Sequence, residues 1–346
     1  MHRPTRGSRN ENHGQKAANS RRGTWHTANT PRSPEGTATT QTLRIHGRWI
    51  RQVEIWCAST MTSFDVHQHL WPPSFVAALA EREVEPYLEG TILHCSEGSS
   101  ETDLDAHDLG TRLALLDRYG IDVAVVSLQP SLGFQLLDDT DRDHLEQIWE
   151  EGILEITAAA NGRIRALSVR RPRAGFFGVT VGTESLTDID AIETTLDALR
   201  GGGYLFVHPV ASSPHPDAPA WWPAVVEYTG HMQEAYFFWL AHCQERWPDV
   251  NVVFAIGAGG GPIQLERLES RGIEISTARH DNIFYDTASY GHRGLDLEID
   301  LFGSEQMVFG TDTPVVSTAV GCEALSELGE STARQIRVQS PLRLFR

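Results

Sequence analysis

From residue 61 to the end, short apolar runs alternate with longer amphipathic stretches. That rhythm points to a parallel α/β architecture, because a strand returning parallel to its predecessor needs a crossover that is usually a helix. Eight runs read as strands: Ser63–His69, Val123–Leu128, Ile164–Val169, Phe177–Val181, Tyr204–Val207, Val250–Ile256, Ile283–Asp286 and Met307–Phe309. Helical patterning is predicted over 109–119, closed by Gly120, over 141–160 and 189–199, through most of 221–246, and in the tail from 331. The 286 residues of 61–346 are close to the roughly 250 of an eight-stranded (β/α)8 TIM-type barrel with some insertion. The excursion from Trp71 to His107 is that insertion, with a short helix over 74–82 and a hairpin over 87–95. Loops of this length inside a compact domain are usually functional.

Residues 1–60 differ in kind. They are rich in Arg, Ser, Thr, Asn and Gly, poor in acids and without periodicity. This predicts a disordered N-terminal extension, with a short structured piece around Leu43–Cys57, ahead of a barrel that begins near Met61. The rest of the composition excludes several classes of function. The only lysine is Lys16, so chemistry that needs a lysine in the folded core is out, including Schiff bases and the phosphate-loop lysine. Cys57, Cys95, Cys243 and Cys322 are widely spaced, which suits reduced thiols and a cytoplasmic protein rather than a disulfide framework. A net charge of -17 makes nucleic acid and anionic membrane poor partners. A small-molecule substrate is the expected partner.

The chemistry sits at strand ends. His67 and His69 are one residue apart, so on a strand they project to the same side. His208 ends the fifth strand, and Asp312 follows the eighth. In a closed barrel the C-terminal strand ends form one face, where active sites lie. Three imidazoles and a carboxylate there suit one divalent cation, with zinc the first expectation and manganese or iron the alternatives. A bound cation would acidify a water, and Asp312 would take its proton.

Five segments carry a resemblance: FDVHQHLWP at Phe64–Pro72, LFVHP at Leu205–Pro209, FAIGAGGGP at Phe254–Pro262, FYDTASYG at Phe284–Gly291 and VFGTDTP at Val308–Pro314. Together they resemble the amidohydrolase superfamily, and within it the amidohydrolase-2 group that includes aminocarboxymuconate-semialdehyde decarboxylase. The resemblance implies a distorted barrel, a homodimer, and metal ligands at His67, His69, His208 and Asp312. Two departures matter. A binuclear site bridged by a carbamylated lysine is excluded, because the barrel has no lysine. The histidine usual in the sixth-strand motif of the group is Ile256 here, which can neither activate water nor carry a proton. That substitution favours a metal-dependent hydrolase with Asp312 as catalytic base over the alternative, a non-oxidative decarboxylase of a small aromatic or unsaturated acid. An inactive barrel relative is the third reading. Gln129, Arg170, Trp222, Arg267 and His292 are the expected substrate-binding residues, Arg170 as partner of a substrate carboxylate.

Overall fold

A computed structural model describes residues 62–212, 217–273 and 280–345, all within one compact unit, Ser59–Arg346. The expectations for residues 1–60, including the piece at Leu43–Cys57, lie outside the described residues.

The chain opens with β1 (Phe64–His69), buried along its whole length. Pro72, whose ring cannot extend the strand, starts α1 (Pro73–Ala80). The insertion then forms β2 (Tyr87–Glu89), β3 (Ile92–Cys95) and β4 (Gly98–Glu101), an antiparallel sheet of three strands where a hairpin of two is predicted. Helix α2 (Leu109–Tyr119) is capped at one end by the Asp108 carboxylate, which accepts the Thr111 amide at 2.8 Å. Gly120 closes the other end at φ 61, a conformation that glycine adopts without steric cost. Strand β5 (Val123–Ser127) leads to α3 (Asp139–Ala159), N-capped by Asp138.

The predicted third strand is broken. β6 (Ile164–Ala166) pairs with β5, while β7 (Ser168–Val169) pairs with β8 (Val179–Gly182), and the chain changes sheet at Leu167. Among the described residues no helix joins β7 to β8; the loop 170–178 takes its place. Next come α4 (Thr183–Leu186), α5 (Ile189–Leu199), β9 (Tyr204–His208) and α6 (Tyr228–Phe238). The second half is β10 (Asn251–Phe254), α7 (Leu265–Glu269), β11 (Ile283–Asp286), α8 (His292–Phe302) and β12 (Met307–Val308), followed by α9 (Thr318–Glu327), α10 (Glu330–Arg334) and α11 (Ser340–Leu344).

Strands β12, β11, β10, β9, β8 and β7 form one parallel sheet, and β1, β5 and β6 another. Leu167 joins them on one side. On the other, the Val66 amide donates to the Phe309 carbonyl at 2.8 Å and the His69 amide to the Thr313 carbonyl at 2.7 Å. The result is an eight-stranded parallel barrel in which β6 and β7 count as one strand. Its wall is apolar: Ala124, Val179, Leu205, Val207, Val252, Val253 and Met307 are fully buried. Tyr236 and Trp239, which follow β9, are buried in the same core cluster as the wall residues. No helix of the described residues is long and apolar enough to cross a membrane.

Candidate metal centre

Strand ends and one turn bring four side chains together. Candidate ligand atoms of His67, His69, His208 and Asp312 all lie within 4.8 Å of one another. The three imidazoles form a near-equilateral arrangement. Every pair of ring centroids is 5.1 Å apart, with interplanar angles of 85°, 84° and 78°.

Each ring is held by its Nδ1. In His67 that atom is 2.6 Å from Asp286 Oδ2, in His69 it is 3.0 Å from the Ser127 carbonyl, and in His208 it is 2.7 Å from the Pro209 carbonyl. An acceptor at Nδ1 fixes the proton there and leaves Nε2 as a lone-pair donor, which is how metal-ligating histidines are oriented. The lone pairs then face inward: His67 Nε2 and His69 Nε2 are 3.3 Å apart, and Asp312 Oδ1 is 3.1 Å from His69 Nε2 and 3.5 Å from His67 Nε2. Such convergence is repulsive unless a cation or proton lies between the donors. The donor set fits a single divalent cation.

The electrostatics agree. Burial lowers the His67 pKa, but the Asp286 and Asp312 carboxylates outweigh it and hold it up at about 9. Burial pushes His69 below its ordinary value despite the hydrogen bond to Asp312. His208 falls well below it, through burial and the two neighbouring imidazoles. Burial raises Asp312, yet His67 and His69 draw it below the ordinary carboxylate range. Without a cation the site therefore retains a proton on His67, at the position a cation would take.

Asp286 escapes the sequence reading, although it stands inside a motif quoted for the resemblance. Its Oδ1 accepts the Ile256 amide at 2.7 Å and the Ala288 amide at 3.0 Å, so its carboxylate is committed on both sides. Asp65 plays a matching part below the site. It accepts from Thr311 Oγ1 and Gln68 Nε2, both at 2.7 Å. Arg112, buried, donates to Gln68 Oε1, the His69 carbonyl and the Ala106 carbonyl.

Ile256 is predicted to end the sixth strand, but it lies beyond β10. Five successive residues, Ile256 to Gly260, have φ between 46 and 72. Glycine tolerates this; Ile256 at φ 46 and Ala258 at φ 54 are exceptions, and the branched Ile256 is the more strained, of the kind that clusters at functional sites. The tightness is local: a Cβ on Gly259 would overlap the Thr229 backbone, and one on Gly257 would overlap the Glu298 carboxyl.

The predicted substrate residues divide. Gln129 is buried at the end of β5, where its Oε1 accepts the Trp71 indole N–H at 2.7 Å, and it lines a cavity of about 810 Å³. Arg170 lines the same cavity but is engaged: its Nε is 2.8 Å from Glu146 Oε2 and its Nη2 is 2.5 Å from Asp143 Oδ1. The expected partner of a substrate carboxylate is thus already neutralised. Trp222 is half-buried, its ring 6.0 Å from that of Trp221. Arg267 is exposed on α7, and His292 at the start of α8 pairs with Glu327; neither belongs to the cluster. His107, which reads as an ordinary loop histidine, is buried and stacked on Trp71 at 4.5 Å. Burial, with Arg112 beside it, drives its pKa down to about 3, so it is neutral.

No family model matches the chain, and no curated protein matches it. Solved structures do. An amidohydrolase II has a TM-score of 0.66 at 16% identity, over 82% of this chain and 99% of its own. The 5-carboxyvanillate decarboxylase from Sphingomonas paucimobilis has a TM-score of 0.63 at 16% identity, over 83% of this chain and 99% of its own. A dihydroxybenzoic acid decarboxylase from Polaromonas sp. JS666, solved with bound manganese and the inhibitor 2-nitroresorcinol, gives 0.63 and 16%, over 83% and 97%. The chain shares the fold of these proteins. They are the kind of neighbour that the five sequence segments point to.

Proposed function

We propose that the protein is a mononuclear, divalent-metal-dependent decarboxylase of a small aromatic or unsaturated carboxylic acid. The observation that carries the metal dependence is the triangle of imidazoles, each anchored through Nδ1 so that Nε2 meets Asp312. The choice of reaction rests on the structural neighbours, several of which are decarboxylases of aromatic acids. It reverses the preference for hydrolysis drawn from Ile256.

The cation, whether manganese, zinc or iron, would supply Lewis acidity toward a substrate oxygen. His67, His69 and His208 hold it, and their anchors keep them from turning away. Asp312 differs from the two histidines of β1: its side chain is 14% accessible, against 0% for His67 and 1% for His69. It is the ligand open to substrate, and in this reading it passes a proton. Decarboxylation releases CO2 from a carboxylate and places a proton on the carbon that held it. Hydrolysis remains the second reading, favoured by the isoleucine at 256, which leaves Asp312 as the proton-transferring group of the cluster.

The test is direct. Metal-loaded protein is incubated with 5-carboxyvanillate, with 2,6-dihydroxybenzoate and with a panel of amides and lactones. CO2 release that disappears in Asp312→Asn supports the proposal. Hydrolysis of the panel without CO2 release would replace it with the second reading.

A further inference from the structure

The insertion between β1 and α2 has no part in the chemistry proposed above, yet it is firmly seated. Leu88 and Leu93 of its antiparallel sheet are buried in one apolar cluster with Leu70 and Trp71, which follow His69, and with Leu128 and Leu132, which follow β5. The sheet is thereby fixed at the end of the barrel where the metal centre lies.

Glu97, in the turn between β3 and β4, carries this sheet across to the β9 side. Its Oε1 accepts the Ser212 amide at 2.8 Å and the Ser212 hydroxyl at 3.0 Å. Its Oε2 accepts the hydroxyl of Tyr228, the first residue of α6. Burial and the Glu97 charge raise the Tyr228 pKa, so that hydroxyl keeps its proton and donates.

What Glu97 grips is the stretch that leaves His208. Residues 209–212 are buried, and among the described residues they make no backbone-to-backbone hydrogen bond. Buried backbone groups need partners, and side chains supply them here. Gln135, after β5, donates to the Ala211 carbonyl at 2.7 Å, and Glu97 takes the Ser212 amide. The course of this stretch decides where the Pro209 carbonyl points, and that carbonyl anchors His208 Nδ1. The other two imidazoles have firmer anchors. His69 rests on the carbonyl of Ser127, which belongs to β5, and His67 on Asp286, which belongs to β11. Pro209 lies outside every strand and helix.

We propose that Glu97 is a positioning residue of the metal centre: by holding Ser212 and Tyr228 it fixes the stretch after β9 and, through the Pro209 carbonyl, the orientation of His208. The insertion then ties the strand that supplies His67 and His69 to the strand that supplies His208. The proposal rests on the metal-dependent reading above and is indifferent to the choice of reaction.

The experiment follows the three ring Nδ1–H protons by NMR in zinc-loaded protein and measures zinc affinity by chelator competition. In Glu97→Ala the His208 proton should exchange with solvent at least about tenfold faster, while those of His67 and His69 keep their rates. Affinity should fall about tenfold, the lower end for loss of an outer partner of a metal-binding histidine. Glu97→Gln should restore both, because its oxygen still accepts from Ser212 and its NH2 group meets a hydroxyl that can also accept. If Glu97→Ala does not fold, Ser212→Ala, which removes one of the two Ser212 donors, should show the same His208-specific acceleration in smaller degree. Unchanged His208 exchange, acceleration of all three protons alike, or a glutamine variant no better than alanine would overturn the positioning role. Zinc held by the parent and unaffected by position 97 would sink this proposal alone. A parent that binds no zinc would sink the metal-dependent reading and the proposal with it.

Discussion

Asp286 touches no candidate ligand atom, yet it should govern metal affinity, and two substitutions there should separate orientation from stability. Its Oδ1 receives two backbone amides, from Ile256 and Ala288, and its Oδ2 faces His67 Nδ1. In Asp286→Asn the amides demand the oxygen, so the NH2 group must face Nδ1. A donor at that position forces the imidazole to carry its proton on Nε2, where it cannot bind a metal. Loss of an outer partner of a metal-ligating histidine typically costs about 10–100-fold in affinity, and the wrong tautomer places Asp286→Asn at or beyond the upper end, about 2.7 kcal/mol. Asp286→Ala leaves His67 free to choose its tautomer, so it should bind metal more tightly than the asparagine variant. It also strips two buried amides of their acceptor, at about 1–3 kcal/mol each, so it should be the less stable of the two. Competition with a chromophoric chelator gives the affinities, and urea unfolding of stripped protein gives the stabilities. Asparagine binding within about twofold of the parent, or alanine binding more weakly than asparagine, would refute the tautomer argument.

Further expectations concern protons and packing. The His67 pKa is held at about 9, above the 6.5 of an unfolded histidine, so in stripped protein its contribution is fully present below pH 6.5 and is lost as pH rises through 9. It amounts to ~3 kcal/mol at most; urea unfolding at pH 6.5 and pH 9.5 measures it, and stability that rises across that interval would contradict it. Because the metal displaces this proton, apparent affinity should climb by up to about tenfold per pH unit toward pH 9, where a chelator competition curve should flatten. Arg112→Ala leaves Gln68 Oε1 and the His69 and Ala106 carbonyls without their donor, which should cost on the order of 3 kcal/mol and loosen β1; thermal unfolding and metal affinity should fall together, and an unchanged melting temperature would argue against that bracing.

The parts legible in the sequence were those written in local signals. Period-two projection placed His67 with His69, and strand ends placed His208 and Asp312, because all four depend on the barrel's rhythm rather than on its details. Gly120 closes α2 where the sequence predicts. What could not be read depended on distant partners. Arg170 looks like a free cation until α3 brings Glu146 and Asp143 to it, 24 and 27 residues upstream. Asp286 reads as a strand-end acid, and only barrel closure sets it against His67, 219 residues away. The break at Leu167 and the missing helix after β7 leave no periodic trace, since a short loop of Arg, Pro and Gly says only that a turn is present. The left-handed turn at Ile256 was half legible: four glycines within 257–261 announced unusual backbone, but not that isoleucine would share it.

The central claim is that four side chains hold one metal ion. Metal content of the purified protein, loaded with zinc or manganese and desalted, tests it most directly beside His208→Ala and Asp312→Ala. About one ion per chain in the parent, lost from both variants while their fold by circular dichroism is kept, is the result predicted. A parent that retains no metal after reconstitution, or variants that retain it fully, would contradict the account.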